Sequence, residues 1–364
     1  MMSVDIGIIG LARSGKTTIL NSLTGVKRET GSSTSHIGIT KIPDPRLNVL
    51  DDMLHPKKVV PTEARFIDMG ASAKGLVDGK GIGGEFLLQL SNVDALMAVV
   101  RAFSDETIPH VEGSLDTERD IATINLELTF SDLSIIERRL EKIDTSLKGA
   151  KLPEREHLYR EQEILLRIKA GLDKDMPIRE LTLSPDDARV VASYQFLTAR
   201  PLLIVVNVGE EQLPGATLLE GQLNEKCSQP GCRVITLCGK LEMELAQLDK
   251  TTAEEFRTEY DLKESGRDRA IRLSYELLGL LSFFSIASDE IKAWPIQNGT
   301  NALKAAGKIH SDMERGFIRA EVISYDDLVR CGSIAEARRK GLLRLEGKNY
   351  VVRDGDVITF LFNV

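Results

Sequence analysis

The chain has 364 residues, 42% hydrophobic and 28% charged, which suggests two to three globular domains and excludes a disordered or collagen-like chain. A formal net charge of −8 excludes a global cationic field for nucleic acid and leaves only local patches. Cys227, Cys232, Cys238 and Cys331 form no disulfide framework, and Cys227 and Cys232 lack the second pair of a zinc set, so a reduced, cytoplasmic setting is expected.

The start, MMSVDIGIIG, lacks the basic head and long apolar core of a signal peptide. No run of ~18 apolar residues predicts a membrane span. Residues 4–9 (VDIGII) read as a short strand, and 16–23 carry a helical pattern. Between them stands Gly10-Leu11-Ala12-Arg13-Ser14-Gly15-Lys16-Thr17, which matches G-x-x-x-x-G-K-[ST] in the strand–turn–helix context the motif requires. Its glycines let the backbone wrap so that successive N–H groups converge on phosphate oxygens. The helix aims its positive end at the same point. Lys16 supplies a charge to the outer phosphates, and Thr17 offers a hydroxyl to Mg²⁺.

A P-loop domain also needs an acidic residue after a later strand. Asp68, closing the run 64–68 (ARFID), fits that role through the metal's water shell; the plainer alternative is a capping or turn Asp. The stretch 70–84 carries Gly70, Gly75, Gly79, Gly81, Gly83 and Gly84, which suits a segment that orders on binding. Runs at 95–101, 202–207 and 233–237 are apolar almost without alternation, the mark of parallel strands buried on both faces, so the class is α/β.

Residues 116–195 break that rhythm. Leu126, Phe130, Leu133, Ile136, Leu140, Ile143 and Leu147 recur at steps of three or four. A polar turn holding Pro153 follows, and Leu158, Leu165, Ile168 and Leu172 repeat the spacing. The pattern predicts an antiparallel helical hairpin inserted into the α/β domain, either a plain structural arm or a docking lever. After the strand 202–207 comes Asn207-Val208-Gly209-Glu210, where GTPases place Asn-Lys-x-Asp to read guanine. Glu210 moves the carboxylate by roughly 1.5 Å, about one C–C bond, so guanine selectivity is expected to be weak and adenine tolerated. From about 281, short strands at 290–295, 317–322, 350–352 and 357–363 with one helix near 325–340 predict a small α+β module. It carries 12 Lys/Arg against 11 Asp/Glu, with the cluster Arg338-Arg339-Lys340 and Arg344 as its one cationic concentration.

The pattern resembles the YchF/Obg-like ATPases of the translation-factor class of P-loop GTPases. The resemblance rests on GIIGLARSGKTTILNSLTG at the start, Pro43-Asp44-Pro45-Arg46-Leu47, the glycine-rich run 79–87, NVGE at 207–210, Lys292-Ala293-Trp294, and AAGKIHSDMERGFIRAEVISYDDL and RLEGKNYVVRDGDVITFLFNV near the end. It spans the whole chain and implies four segments: a P-loop domain at 1–115 and 196–280, a helical insertion at 116–195, and a TGS-like β-grasp module at 281–364. It also implies Mg²⁺-dependent hydrolysis of ATP, often in preference to GTP, and a ribosome or ribosomal-RNA partner met through the TGS module and the insertion. By position Gly10 to Thr18 would bind phosphates, Asn207, Val208 and Glu210 would meet the base, and Cys238-Gly239-Lys240 would support it through backbone groups. Three departures stand out. Ala71 takes the place of the Gly that senses the outermost phosphate. Ser72 occupies the hydrophobic position that replaces a catalytic Gln. Gly31-Ser32-Ser33-Thr34-Ser35-His36 replaces the first switch, which puts Ser32 or Thr34 at the metal-binding Thr position. Lys16, Ala71 and Ser72 are thus the expected catalytic positions, and Thr17, Ser32 and Asp68 the expected metal positions. His36 would orient a water or simply be exposed. The expectation is a slow ATPase switch at the ribosome, the alternative a nucleotide-binding scaffold or GTP-binding regulator with little hydrolysis.

Overall fold

A computed structural model describes residues 4–26, 36–68, 89–227, 229–260, 262, 264–287 and 289–363. In chain order its principal elements begin with β1 (Val4–Ile9), α1 (Lys16–Thr24), β2 (His36–Lys41), α2 (Pro45–Leu54), β3 (Lys58–Val60), β4 (Glu63–Asp68) and β5 (Ala95–Arg101). Then come α3 (Thr117–Leu147), α4 (Leu152–Leu172), β6 (Leu202–Asn207), α5 (Leu213–Lys226), β7 (Cys232–Leu237), β8 (Leu280–Ala287) and β9 (Glu290–Gln297). The last are α6 (Ala302–Ile309), β10 (Phe317–Ser324), α7 (Tyr325–Cys331), α8 (Ile334–Arg339), β11 (Arg344–Glu346) and β12 (Asp356–Phe362).

One six-stranded sheet has the order β2-β4-β1-β5-β6-β7. The pairs β1–β5, β5–β6 and β6–β7 are parallel, in registers such as Ile6 with Ala95 and Leu96 with Leu202. Every residue of β5 and β6 is buried, which is why those strands read as unbroken apolar runs. The order reverses direction at β1, and the crevice outside the carboxyl ends of such strands is where a doubly wound sheet takes its ligand. The expected α/β class with a P-loop domain is borne out.

The helical pair forms, with a change of face along its first member. From Leu133 onward α3 packs Ile136 and Ile143 against Leu158, Leu165, Ile168 and Leu172 of α4. In its first turns a different stripe, Ile121, Ile124 and Leu128, joins the core of the parallel sheet. Leu126 and Phe130, which the sequence spacing put on the buried stripe, are 46% and 53% exposed. One long helix thus serves two cores on two faces. Pro153 lies in the first turn of α4, where its missing N–H costs nothing. Glu161 is buried and takes a two-pronged contact from Arg139 across the pair, at 2.7 and 2.8 Å. Among the described residues no helix is long and apolar enough to cross a membrane.

A second compact unit gathers residues 278–363 with residues 40–64. Its six-stranded sheet has the order β11-β10-β12-β8-β9-β3, and β3 runs parallel to β9 with Lys58 opposite Glu290. Leu47 and Leu50 of α2 sit in one core with Phe284, Ile291, Ile323 and Val357. The Pro43–Leu47 motif explains this docking. Asp44 caps α2 by accepting from Arg46 N at 3.1 Å, and Pro45 opens the helix. The Arg46 guanidinium contacts Asp44 at 2.9 Å and Asp354 at 2.8 Å, and lies over the Phe284 ring. The run 350–352 is not a strand but a single bridge from Val351 to Asn301. The helix expected near 325–340 is two. Gly332 ends α7 at φ 73°, and Ser333 starts α8 by accepting from Glu336 N.

Candidate functional site

Backbone shape at residues 10–17 comes from Gly10 (φ 148°), Arg13 (φ 63°) and Gly15 (φ 94°). A Cβ at Gly10 would stand 2.3 Å from the Val99 carbonyl oxygen on β5. One at Gly15 would stand 2.3 Å from Asn207 Nδ2. Glycine is therefore demanded twice, by conformation and by space. Lys16, the first residue of α1, donates from Nζ to the carbonyls of Gly10 at 3.0 Å and Leu11 at 2.9 Å. Burial pulls its pKa below the ordinary lysine value, and the nearby Asp68 carboxylate opposes that shift. The loop thus holds an ammonium group at its centre, where phosphate oxygens would be better partners than its own carbonyls.

Thr17 Oγ1 donates to Asp68 Oδ2 at 2.8 Å, which joins the start of α1 to the end of β4. Asp68 is 2% exposed. A hydroxyl and a carboxylate side by side at a phosphate loop suit Mg²⁺, which prefers a few hard oxygen ligands and retained waters. Thr17 and Asp68 are the residues that would hold the ion, and the ion would neutralise phosphate charge there.

Asn207, at the end of β6, is buried and hydrogen-bonded through both ends of its amide. Its Nδ2 donates to Ser14 O at 3.1 Å, and its Oδ1 accepts from Gly239 N at 3.0 Å. It is a strut joining the phosphate loop to the turn after β7. Gly239 abuts α1, since a Cβ there would meet Ile19 at 2.7 Å and Thr18 at 3.5 Å. Cys238 is buried, and burial pushes its thiol pKa up. Glu210 Oε1 pairs with Lys240 Nζ at 3.2 Å, which holds Lys240 above its ordinary value.

The side chains of Leu11 and Val208 are buried in the core of the sheet, so only their backbone groups face the loop region. Arg13 is exposed and reaches the Pro109 carbonyl at 3.1 Å, while Ala12 is half-buried beside it. His36 opens β2; its Nε2 is buried without a hydrogen bond among the described residues. Ser32, Thr34, Ala71 and Ser72 lie outside the described residues.

Three further residues line this region. The Arg101 guanidinium lies 4.4 Å over the Phe103 ring, whose edge approaches Gly15. Burial lowers the Arg101 pKa. Gln212 accepts from Gly209 N at 2.7 Å and donates to Ala102 O at 3.1 Å, which fixes the turn after β6. The one sequence signal for them was an arginine closing an otherwise apolar strand.

A family model, YchF-GTPase_C, described as "Protein of unknown function (DUF933)", matches residues 280–363. The "Ribosome-binding ATPase YchF" of Bacillus subtilis (strain 168) is 39% identical over 370 residues, covering 100% of both chains. That of Pasteurella multocida (strain Pm70) is 36% identical over 368 residues, again covering 100% of both. Among solved structures, the Schizosaccharomyces pombe YchF GTPase superposes with a TM-score of 0.86 at 29% identity, covering 99% of this chain and 98% of that one.

Proposed function

The chain belongs to the YchF family, and from that premise we propose that it is a ribosome-associated, Mg²⁺-dependent ATPase of slow intrinsic turnover, working in the cytoplasm. One observation carries the reading: Lys16 inside the loop, with Thr17 hydrogen-bonded to Asp68. These groups bind the phosphates and position the metal, and phosphoryl transfer needs little beyond positioning and charge neutralisation. Slow turnover fits Ala71 and Ser72 at the positions where the family pattern has other residues. Ser32 is the proposed second metal ligand.

ATP is the proposed substrate, with GTP tolerated. The Glu210 carboxylate already has the Lys240 ammonium as a partner, and that ion pair competes with the two donors of guanine. Glu210→Asp is one methylene too short to keep the pair. It should shift the ratio of ATP to GTP affinity toward GTP by about three- to tenfold. Titration calorimetry with both nucleotides checks this, and clear GTP preference in the wild type would refute the argument. Val208 stays untouched in that test, because a lysine there would enter the core.

The name of the relatives supports a ribosome partner for this chain, and we assign the contact to the helical pair α3–α4 and the C-terminal unit. The cationic cluster of that unit is largely paired within it: Arg338 with Glu321, Arg339 with Glu336, Arg344 with Glu346. The unit is therefore no broad cationic surface, and few phosphates should be neutralised. Co-sedimentation with ribosomes should weaken with salt on a shallow slope, about one to three ions rather than six or more. No co-sedimentation, in ATP or without nucleotide, would count against this partner.

A further inference from the structure

The larger α/β unit contains a cavity of about 550 Å³ remote in the fold from the phosphate loop. Its walls come from the first turns of α3, the segment after α4, the end of α5 and the start of β7. The phosphate loop lies at the carboxyl ends of the strands, whereas Cys232 on this wall is the first residue of β7. The volume is that of a small-molecule site, and the lining mixes apolar residues with three cations, Arg119, Arg179 and Lys226, and two carboxylates, Asp175 and Glu180. Leu126 and Pro177 supply the accessible apolar surface. Leu126 is one of the two residues left exposed where α3 changes face.

Arg179 is the unusual group on this wall. It lies largely buried, and its Nε has no hydrogen-bond partner among the described residues. Its one side-chain hydrogen bond among the described residues, Nη1 to Thr198 O, is long at 3.4 Å. It makes no ion pair among the described residues, whereas the two other cations of the wall do: Arg119 with Asp120, and Lys226 with Glu118. Asp132 and Glu180 are close enough to favour its charge through space. Asp132, however, is saturated by Leu197 N, Thr198 N and Thr198 Oγ1 at 2.9, 2.8 and 2.7 Å. A desolvated guanidinium without a contact partner is costly, and burial indeed lowers its pKa. The group that would repay this cost is an anion, which a planar guanidinium grips in two-pronged fashion.

We propose that this cavity is a second ligand site, taking a small molecule that carries a phosphoryl or carboxylate group on an apolar, ring-sized body. The anion meets Arg179 and the ring lies against Leu126 and Pro177. Occupancy would tie the root of α3 to the segment after α4, so the ligand acts as an effector on the helical pair. The proposal is independent of the nucleotide reading, because it uses none of the loop residues.

Phenyl phosphate and benzoate are the probes, titrated into the full chain by calorimetry. Binding of the first alone assigns a phosphoryl ligand, and of the second alone a carboxylate. Cys227, half-buried on the cavity wall, supplies a positional readout. Its alkylation by N-ethylmaleimide, followed by peptide mass mapping, should slow when the probe is bound. Arg179→Gln should weaken binding about 10- to 100-fold, the effect of one charge-assisted contact. Its melting temperature should hold or rise, because an unpaired buried charge has gone. Ala122→Glu, at an exposed position on the rim, should also weaken binding, and Lys16→Ala should not. The proposal is overturned if neither probe binds at about 10 mM, if Arg179→Gln binds as well as the wild type, or if Lys16→Ala alone abolishes binding. A fall of several degrees in the melting temperature of Arg179→Gln would make the arginine a structural strut and overturn it equally.

Discussion

Lys16→Ala should lower ATP turnover by about 100- to 1000-fold at saturating nucleotide, the usual effect of removing one preorganised electrostatic group from a phosphoryl or acyl transition state. The ammonium now rests on the Gly10 and Leu11 carbonyls, at the centre of the loop where the transferring phosphoryl would develop charge. Affinity for the triphosphate should fall too, since the same charge meets the ground state. Stability should scarcely move. The variant leaves two carbonyls without a partner, but it also removes a desolvated charge, and these effects oppose each other. Phosphate release and urea unfolding, measured on one preparation, separate the two consequences. Turnover at the wild-type rate in Lys16→Ala would place hydrolysis elsewhere or in a contaminant.

Gly10→Ala is the second large effect. The new methyl would be driven to 2.3 Å from the Val99 carbonyl oxygen, at a φ of 148° that side chains resist. Val99 is part of a central, fully buried strand, so the loop must yield instead. A cost of about 2–4 kcal/mol in stability and at least 100-fold in ATP affinity is expected. Gly15→Ala offers a contrast, because its obstacle is the Asn207 amide rather than a main-chain atom. Asn207→Ala should therefore relieve part of the Gly15→Ala clash and none of the Gly10→Ala clash. A double-mutant cycle on unfolding free energy reads this directly as a coupling in one pair and its absence in the other.

The central strands were legible in the sequence because burial on both faces leaves them no polar position to blur the pattern. The loop at 10–17 was legible because strand, turn and helix follow one another within a few residues, and Asp68 stood out only as an acid closing a later strand. Asn207 stood out in the sequence at the end of an apolar strand, but its task as a strut was not legible, since Ser14 and Gly239 meet it only in three dimensions. Leu126 and Phe130 misled for a related reason. A helix-period pattern cannot say which partner lies opposite, and α3 exchanges one partner for another along its length. Arg101 and Phe103 carried no motif, and their stacking beside Gly15 depends on the turn after β5. The break at Gly332-Ser333 could have been read, since a glycine followed by a helix-capping serine marks one helix ending and another starting.

The segment 40–64 emerges from a translating ribosome long before the residues with which it shares a core. At about 5–20 residues per second, α2 and β3 would wait tens of seconds for β8 and β9. Until then Leu47 and Leu50 have no permanent cover, which makes this stretch an attractive client for a chaperone and a point of vulnerability to aggregation or proteolysis. The final unit cannot be completed by its own late-made residues. Its assembly is postponed until both ends of a long loop meet, and such long-range closure should make this step among the slowest in the birth of the protein.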